Sequence, residues 1–190
     1  YEMAGLQASR QFRGKRPDIE LIRALLSAAD GAIEAGDLST AESIIQEAQS
    51  LALSNFNGDH KLVQARINSI RGRLLFVQKR YPEALAQLRA AVSMHRELTS
   101  ADRTELAAPL VHLAQAAYYV GSHQEAIDSI REAYEVDRQI FGPEHPETLA
   151  DLDIMKSLAI RAILDGLDDN LIESLPLNDI FVRRPPNPQN

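Results

Sequence analysis

Cysteine is absent from all 190 residues. Disulfide frameworks, thiolate metal sites and cysteine nucleophiles are therefore excluded together. Tryptophan is absent as well, and aromatic residues reach only 5%, so the core is built chiefly from aliphatic side chains. No apolar run approaches the roughly 18 residues a membrane helix needs, and no membrane partner is expected. Basic residues are in the minority: Lys+Arg 20 against Asp+Glu 27 gives a net charge of −7, which speaks against a nucleic-acid surface over the whole molecule. The chain opens at Tyr1 with neither an initiator Met nor a charged-then-apolar leader. It is expected to be a piece of a longer protein, so targeting is not legible in it.

What remains, 45% hydrophobic and 25% charged, is the composition of a globular domain of ordinary size. The charge is uneven. Residues 1–95 carry 12 Lys+Arg and 10 Asp+Glu, whereas residues 96–190 carry 8 and 17. Such polarity can orient a partner or favour head-to-tail contact; drift in surface composition is the plainer account, because exposed charges are screened beyond a Debye length.

The organising feature is an internal repeat. Ala41, Ala84 and Ala126 recur at intervals of 43 and 42 residues. Ala48, Ala91 and Ala133 recur at the same intervals seven positions later, and Ala29, Gly72 and Ala114 twelve positions earlier. Two antiparallel helices approach closely only where side chains are small. The spacing therefore predicts three helix pairs, with one small residue midway along each first helix and two small residues two turns apart on each second helix. Turns are expected at Gly36-Asp37, Lys79-Arg80 and Gly121-Ser122, where glycine suits a left-handed helix end, with Pro82 starting the next helix. Large apolar residues keep helical spacing between the small ones: Leu38, Ile44, Ile45 and Leu51; then Tyr81, Leu85, Leu88 and Val92; then Ile127, Ile130, Tyr134 and Val136. No segment alternates with the period of a strand. The chain reads as all-α, with first helices near 18–35, 61–79 and 104–120, second helices near 38–55, 82–99 and 123–140, and a seventh helix near 146–165. Pro109 inside the third first helix predicts a later start or a kink there.

This frame resembles tetratricopeptide repeats, and among them the long type of about 42 residues found in kinesin light chains. The stretch Ala133-Tyr-Glu-Val-Asp-Arg-Gln-Ile-Phe-Gly-Pro-Glu-His-Pro-Glu-Thr-Leu-Ala150 looks like that family's inter-repeat passage, Gly-Pro-x-His-Pro-x-Thr. The junctions at Ser54–Leu62 and Thr99–Leu106 lack it. The resemblance covers about residues 18–166 and implies a right-handed α-solenoid of three full repeats plus C-terminal capping helices. It also implies a non-enzymatic scaffold that binds a protein or peptide partner in a concave groove, in a cytoplasmic setting. The paired Asn with which such repeats grip a peptide backbone are absent: their positions read Leu26-Ser27, Ser69-Ile70, Val111-His112 and Asp153-Ile154. Lys156 stands where the fourth unit would have its small residue.

By the family's register the groove-facing positions are Arg23, Leu26, Asp30 and Ile33; Arg66, Ser69, Arg73 and Phe76; Val111, Gln115, Tyr118 and Tyr119; and Asp153, Ser157 and Arg161. Arg66, Arg73 and Phe76 share one helix face, and arginine beside aromatic rings is the composition of binding hot spots. Arginine also holds a carboxylate bidentately. The expected ligand is an extended or helical peptide with acidic and apolar residues. The alternative is that Phe76 and the tyrosines pack between helices while the arginines are solvated.

The five histidines, His60, His95, His112, His123 and His145, form no metal spacing. His145 is expected to fix the His-Pro loop, and His112 to play a core or rim role. Asp151, Asp153 and Asp168-Asp169 are read as helix-start and surface charge, since no nucleophile, base or glycine-rich loop accompanies them. No phosphate-binding, dinucleotide-binding or nucleophile-elbow motif occurs; neither an enzyme nor a cofactor is expected. Residues 1–17, with Arg10, Arg13, Lys15 and Arg16, read as a basic arm or a linker to an upstream domain. Residues 167–190 read as an amphipathic cap (Leu167, Leu171, Ile172, Leu175, Leu177, Ile180, Phe181) followed by a proline-rich tail from Arg183, which is either disordered or a docking peptide. Rival readings are a sensor fragment of a larger transcriptional or signalling regulator, and a self-association module forming a homo-oligomer.

Overall fold

The computed structural model describes residues 17–56, 60–98 and 105–164. The basic arm up to residue 16 and the cap and tail from 167 onward lie outside the described residues. Seven helices follow one another: α1 Pro17–Glu34, α2 Leu38–Phe56, α3 Lys61–Val77, α4 Tyr81–Arg96, α5 Ala107–Tyr119, α6 His123–Phe141 and α7 Pro146–Leu164. Among the described residues there is no strand. No helix there is long and apolar enough to cross a membrane. The expected boundaries hold within a few residues. α4 ends at Arg96 rather than near 99, and α5 begins at Ala107 rather than near 104, the later start expected from Pro109, which falls in its first turn. Pro109 needs no partner for an amide hydrogen there, so no kink is required.

The helices pair in order: α1 with α2, α3 with α4 and α5 with α6, while α2–α3, α4–α5 and α6–α7 join successive hairpins. First helices also touch first helices, α1 on α3 and α3 on α5. The small residues make this possible. Ala29, Ala41, Ala48, Ala84, Ala91, Ala114, Ala126 and Ala133 are all fully buried, and Gly72 is buried with them. At Gly72 the approach is closest. A Cβ there would lie 2.5 Å from Cγ of Leu88, so α3 and α4 could not keep their present spacing with even a methyl group in between.

Each hairpin turn is the same device. The amide of Asp37 donates to the carbonyl of Ala32 and that of Gly36 to Ile33; Arg80 donates to Leu75 and Lys79 to Phe76; Ser122 donates to Ala117 and Gly121 to Tyr118. This paired pattern satisfies the last carbonyls of a helix and requires a left-handed residue at its hinge. Gly36 (φ 78°) and Gly121 (φ 81°) supply it, and Lys79 adopts φ 62° despite its Cβ. Beyond the first turn, Oδ1 of Asp37 accepts from the amide of Thr40 at 3.1 Å, capping α2.

The apolar core forms two clusters that meet on α3. Val63, Ile67 and Leu74 pack with α1 and α2 around Ile22, Leu26 and Ile45. Leu75 packs the other way, with α4 to α7 around Leu88, Leu110, Ile130 and Met155. Each hairpin thus completes its core only against a neighbour, as stacked repeat units do.

Candidate functional site

The first helices align their midpoints, and their polar residues form two crosswise rows. In one row Arg66 of α3 makes a bidentate ion pair with Glu105, just ahead of α5. The Arg66 side chain is 13% exposed, and its guanidinium holds the Glu105 carboxyl below the ordinary carboxylate range, with His95 and Arg23 adding smaller attractions. Arg23 itself is exposed and lies 3.9 Å from Glu20. In the other row Arg73 of α3 reaches back to α1: Nη1 pairs with Asp30, and Nη2 lies 3.3 Å from Glu34. The Arg73 side chain is 20% exposed and Glu34 is 66% exposed. On its far side stand His112 and Gln115 of α5. Burial keeps the His112 imidazole below its ordinary range and so uncharged at neutral pH; the Arg73 charge acts in the same direction, and a hydrogen bond with Gln115 opposes it.

Two of the arginines expected to await a ligand, Arg66 and Arg73, are therefore neither solvated nor vacant. Arg66 and Arg73 are each held by an acid from an adjacent hairpin, whereas Arg23 and Arg161 are exposed. The sequence contains the signal: Asp30 and Arg73 are 43 residues apart, the repeat interval, so they occupy one register position on neighbouring helices. Other expected groove residues divide by burial. Leu26, Ile33 and Ser69 are buried, because first helices pack on one another as well as on their own partners. Val111, Gln115 and Tyr118 are half-buried, and Arg161, Asp153 and Ser157 are exposed. Lys156 pairs with Asp153 at 3.0 Å.

The expected groove aromatics, Phe76, Tyr118 and Tyr119, gather at the turn edge rather than in mid-face. Tyr81 at the start of α4 stacks on Tyr119 at the end of α5, with centroids 4.4 Å apart and planes 9° from parallel. Phe76 meets both rings, at 5.5 and 5.6 Å, and Tyr118 meets Tyr119 edge-on at 6.2 Å. Phe76 and Tyr118 also pack against the core, while Tyr119 remains 49% exposed. Sequence reasoning brings Phe76 and Tyr119 together but misses Tyr81, which comes from a second helix.

On the opposite side a shallow depression of about 570 Å3 opens between α4, α5 and α6, with Val92 and Leu113 among its lining. Its arginines are taken: Arg89 pairs with Glu125 at 2.5 Å, and Arg96 pairs with Glu132.

The carboxylates correct the sequence reading at one point. Asp153 is exposed, but Asp151 is buried, and so is Asp137 of α6 opposite it. Desolvation, and then the neighbouring Asp137 and Glu147, push the Asp151 carboxyl up to about 7. Desolvation and Glu147 push Asp137 up as well. Asp151 is thus a charge-averse group inside the α6–α7 contact rather than surface charge. His145 does fix its loop: Nδ1 accepts from the amide of Glu147 at 3.3 Å, and the ring stacks on Phe141 at 4.5 Å. Among the described residues no group of three His, Cys, Asp or Glu could hold a metal ion.

Paired antiparallel helices stacked through small residues define a helical repeat protein. Residues 63–139, from within α3 to the last turn of α6, match the tetratricopeptide repeat family model, so the chain contains a tetratricopeptide repeat region over that span. No curated protein matches the chain. The fold and the match together point to a protein-interaction scaffold.

Proposed function

We propose that the chain is a non-enzymatic, long-type tetratricopeptide scaffold whose first helices line a concave groove for a peptide of a partner protein. In this reading it has three full units followed by a C-terminal cap and winds with a right-handed sense. The ligand is extended or helical and carries acidic and apolar residues; no covalent step is involved. The observation that carries the reading is the divided fork of Arg73. Asp30 fixes one arm, while the other arm faces Glu34, a mostly exposed side chain at 3.3 Å. A ligand carboxylate replaces Glu34 at little cost, because the guanidinium is already oriented. The apolar side chains of Val111 and Tyr118 lie on the same helix row and accept the ligand's apolar residues. His112, uncharged, leaves Arg73 as the dominant positive group of its row.

The test is fluorescence anisotropy with a labelled peptide alternating Glu and Leu. Arg73→Met weakens binding tenfold or more. Glu34→Gln strengthens it several-fold, since an internal competitor is removed. A loss of stability cannot produce that opposite sign. Equal affinities in all three proteins would rule the reading out.

A further inference from the structure

Apart from Tyr118, which also lies on the row of Arg73, the ring cluster at the turn edge has no role in that row, yet it brings Phe76, Tyr81 and Tyr119 together at one place. We propose that this platform is the docking site for the chain's own segment Arg183-Arg-Pro-Pro-Asn-Pro188. Flat, partly exposed tyrosine rings are what extended proline-rich segments dock on, because a pyrrolidine ring packs on an aromatic face and the bound shape costs little entropy. Tyr119 offers half its surface. Exposed Val77 and Pro82 extend the apolar rim beside it.

Chain geometry supports this occupant. The repeat register sets α3, α5 and α7 in the same direction, so they end at the same edge. Phe76 and Tyr119 lie at the ends of α3 and α5, and α7 ends at Leu164. The register that aligns Ala114 with Lys156 aligns Tyr119 with Arg161, so Leu164 is about 5 Å past the level of Tyr119 at 1.5 Å per residue. Helix packing puts it about 20 Å from the platform in the stacking direction. Residues 165–182 separate Leu164 from Arg183. Fully extended they reach about 60 Å, and as a single helix about 27 Å; either suffices. The segment holds three of the chain's nine prolines.

The absence of cysteine makes the test direct. A nitroxide on Asn190→Cys in the full chain reports which backbone amides the tail approaches. Amides of Val77, Tyr81 and Tyr119 lose more than half their intensity, while those of Gln46 and Leu53 on α2 keep theirs. Replacing Pro185, Pro186 and Pro188 with Ala restores the intensities without touching the helices, and Tyr119→Ser does the same from the other side. Three results would overturn the proposal: no selective broadening, broadening that survives the proline replacements, or broadening only between labelled and isotope-enriched copies, which would assign the tail to a second molecule.

Discussion

Asp137 and Asp151 bring two carboxyl groups together inside the α6–α7 contact, where both residues are at least nine-tenths buried. Only one can ionise cheaply. The Asp151 carboxyl, at about 7, keeps its proton under mildly acidic conditions and hydrogen-bonds Asp137 with it. A folded-state value raised above the unfolded one gives stability that is whole below about pH 4 and is lost as the pH rises through about 7. Glu147 adds to the repulsion, and His145, when charged, relieves it. Asp151→Asn retains a donor and cannot ionise. Its advantage over the native chain in thermal melts is expected to be near zero at pH 4. By pH 8 it should reach a few kcal/mol, at about 1.4 kcal/mol for each tenfold change in proton affinity. A pH-independent difference would show that the pair does not titrate.

Lys79 occupies a backbone conformation that glycine takes in the other two hairpins. Lys79→Gly is expected to stabilise the fold by about 0.5–1 kcal/mol, whereas Gly36→Ala and Gly121→Ala cost about 1 kcal/mol each. Denaturant titration of the three variants checks the opposing signs.

Gly72 exists for Leu88. Gly72→Ala is expected to cost about 1–3 kcal/mol through overpacking, even though Ala favours a helix interior. The positions equivalent to Leu88 in the other hairpins are Ile45 and Ile130, facing Ala29 and Ala114 by register. The double variant Gly72→Ala/Leu88→Ile copies that pairing and is expected to recover most of the loss, which a double-mutant cycle measures.

The small-residue frame makes the helices, their pairing and the turns legible, because close approach dictates residue size at fixed positions whatever the partner helix is. Lys79 is legible as a turn residue for the same reason. Side-chain pairing is not. Arg66 and Arg73 look available from the sequence because single-helix reasoning sees neighbours three or four residues away, whereas their acids arrive from positions 39 and 43 residues distant. Asp151 looks like surface charge because acids favour helix starts; its burial depends on α6 lying against it, with Asp137 as its unforeseen neighbour. Tyr81 escapes notice because a turn, rather than a helix face, brings it to Tyr119.

The most direct measurement is amide chemical-shift mapping of the isotope-labelled chain during titration with the Glu-Leu peptide. The account predicts saturable shifts along α1, α3 and α5, centred on Asp30, Arg73 and Gln115, and their disappearance in Arg73→Met. Shifts confined to α2, α4 and α6, around Arg89 and Glu132, would contradict it.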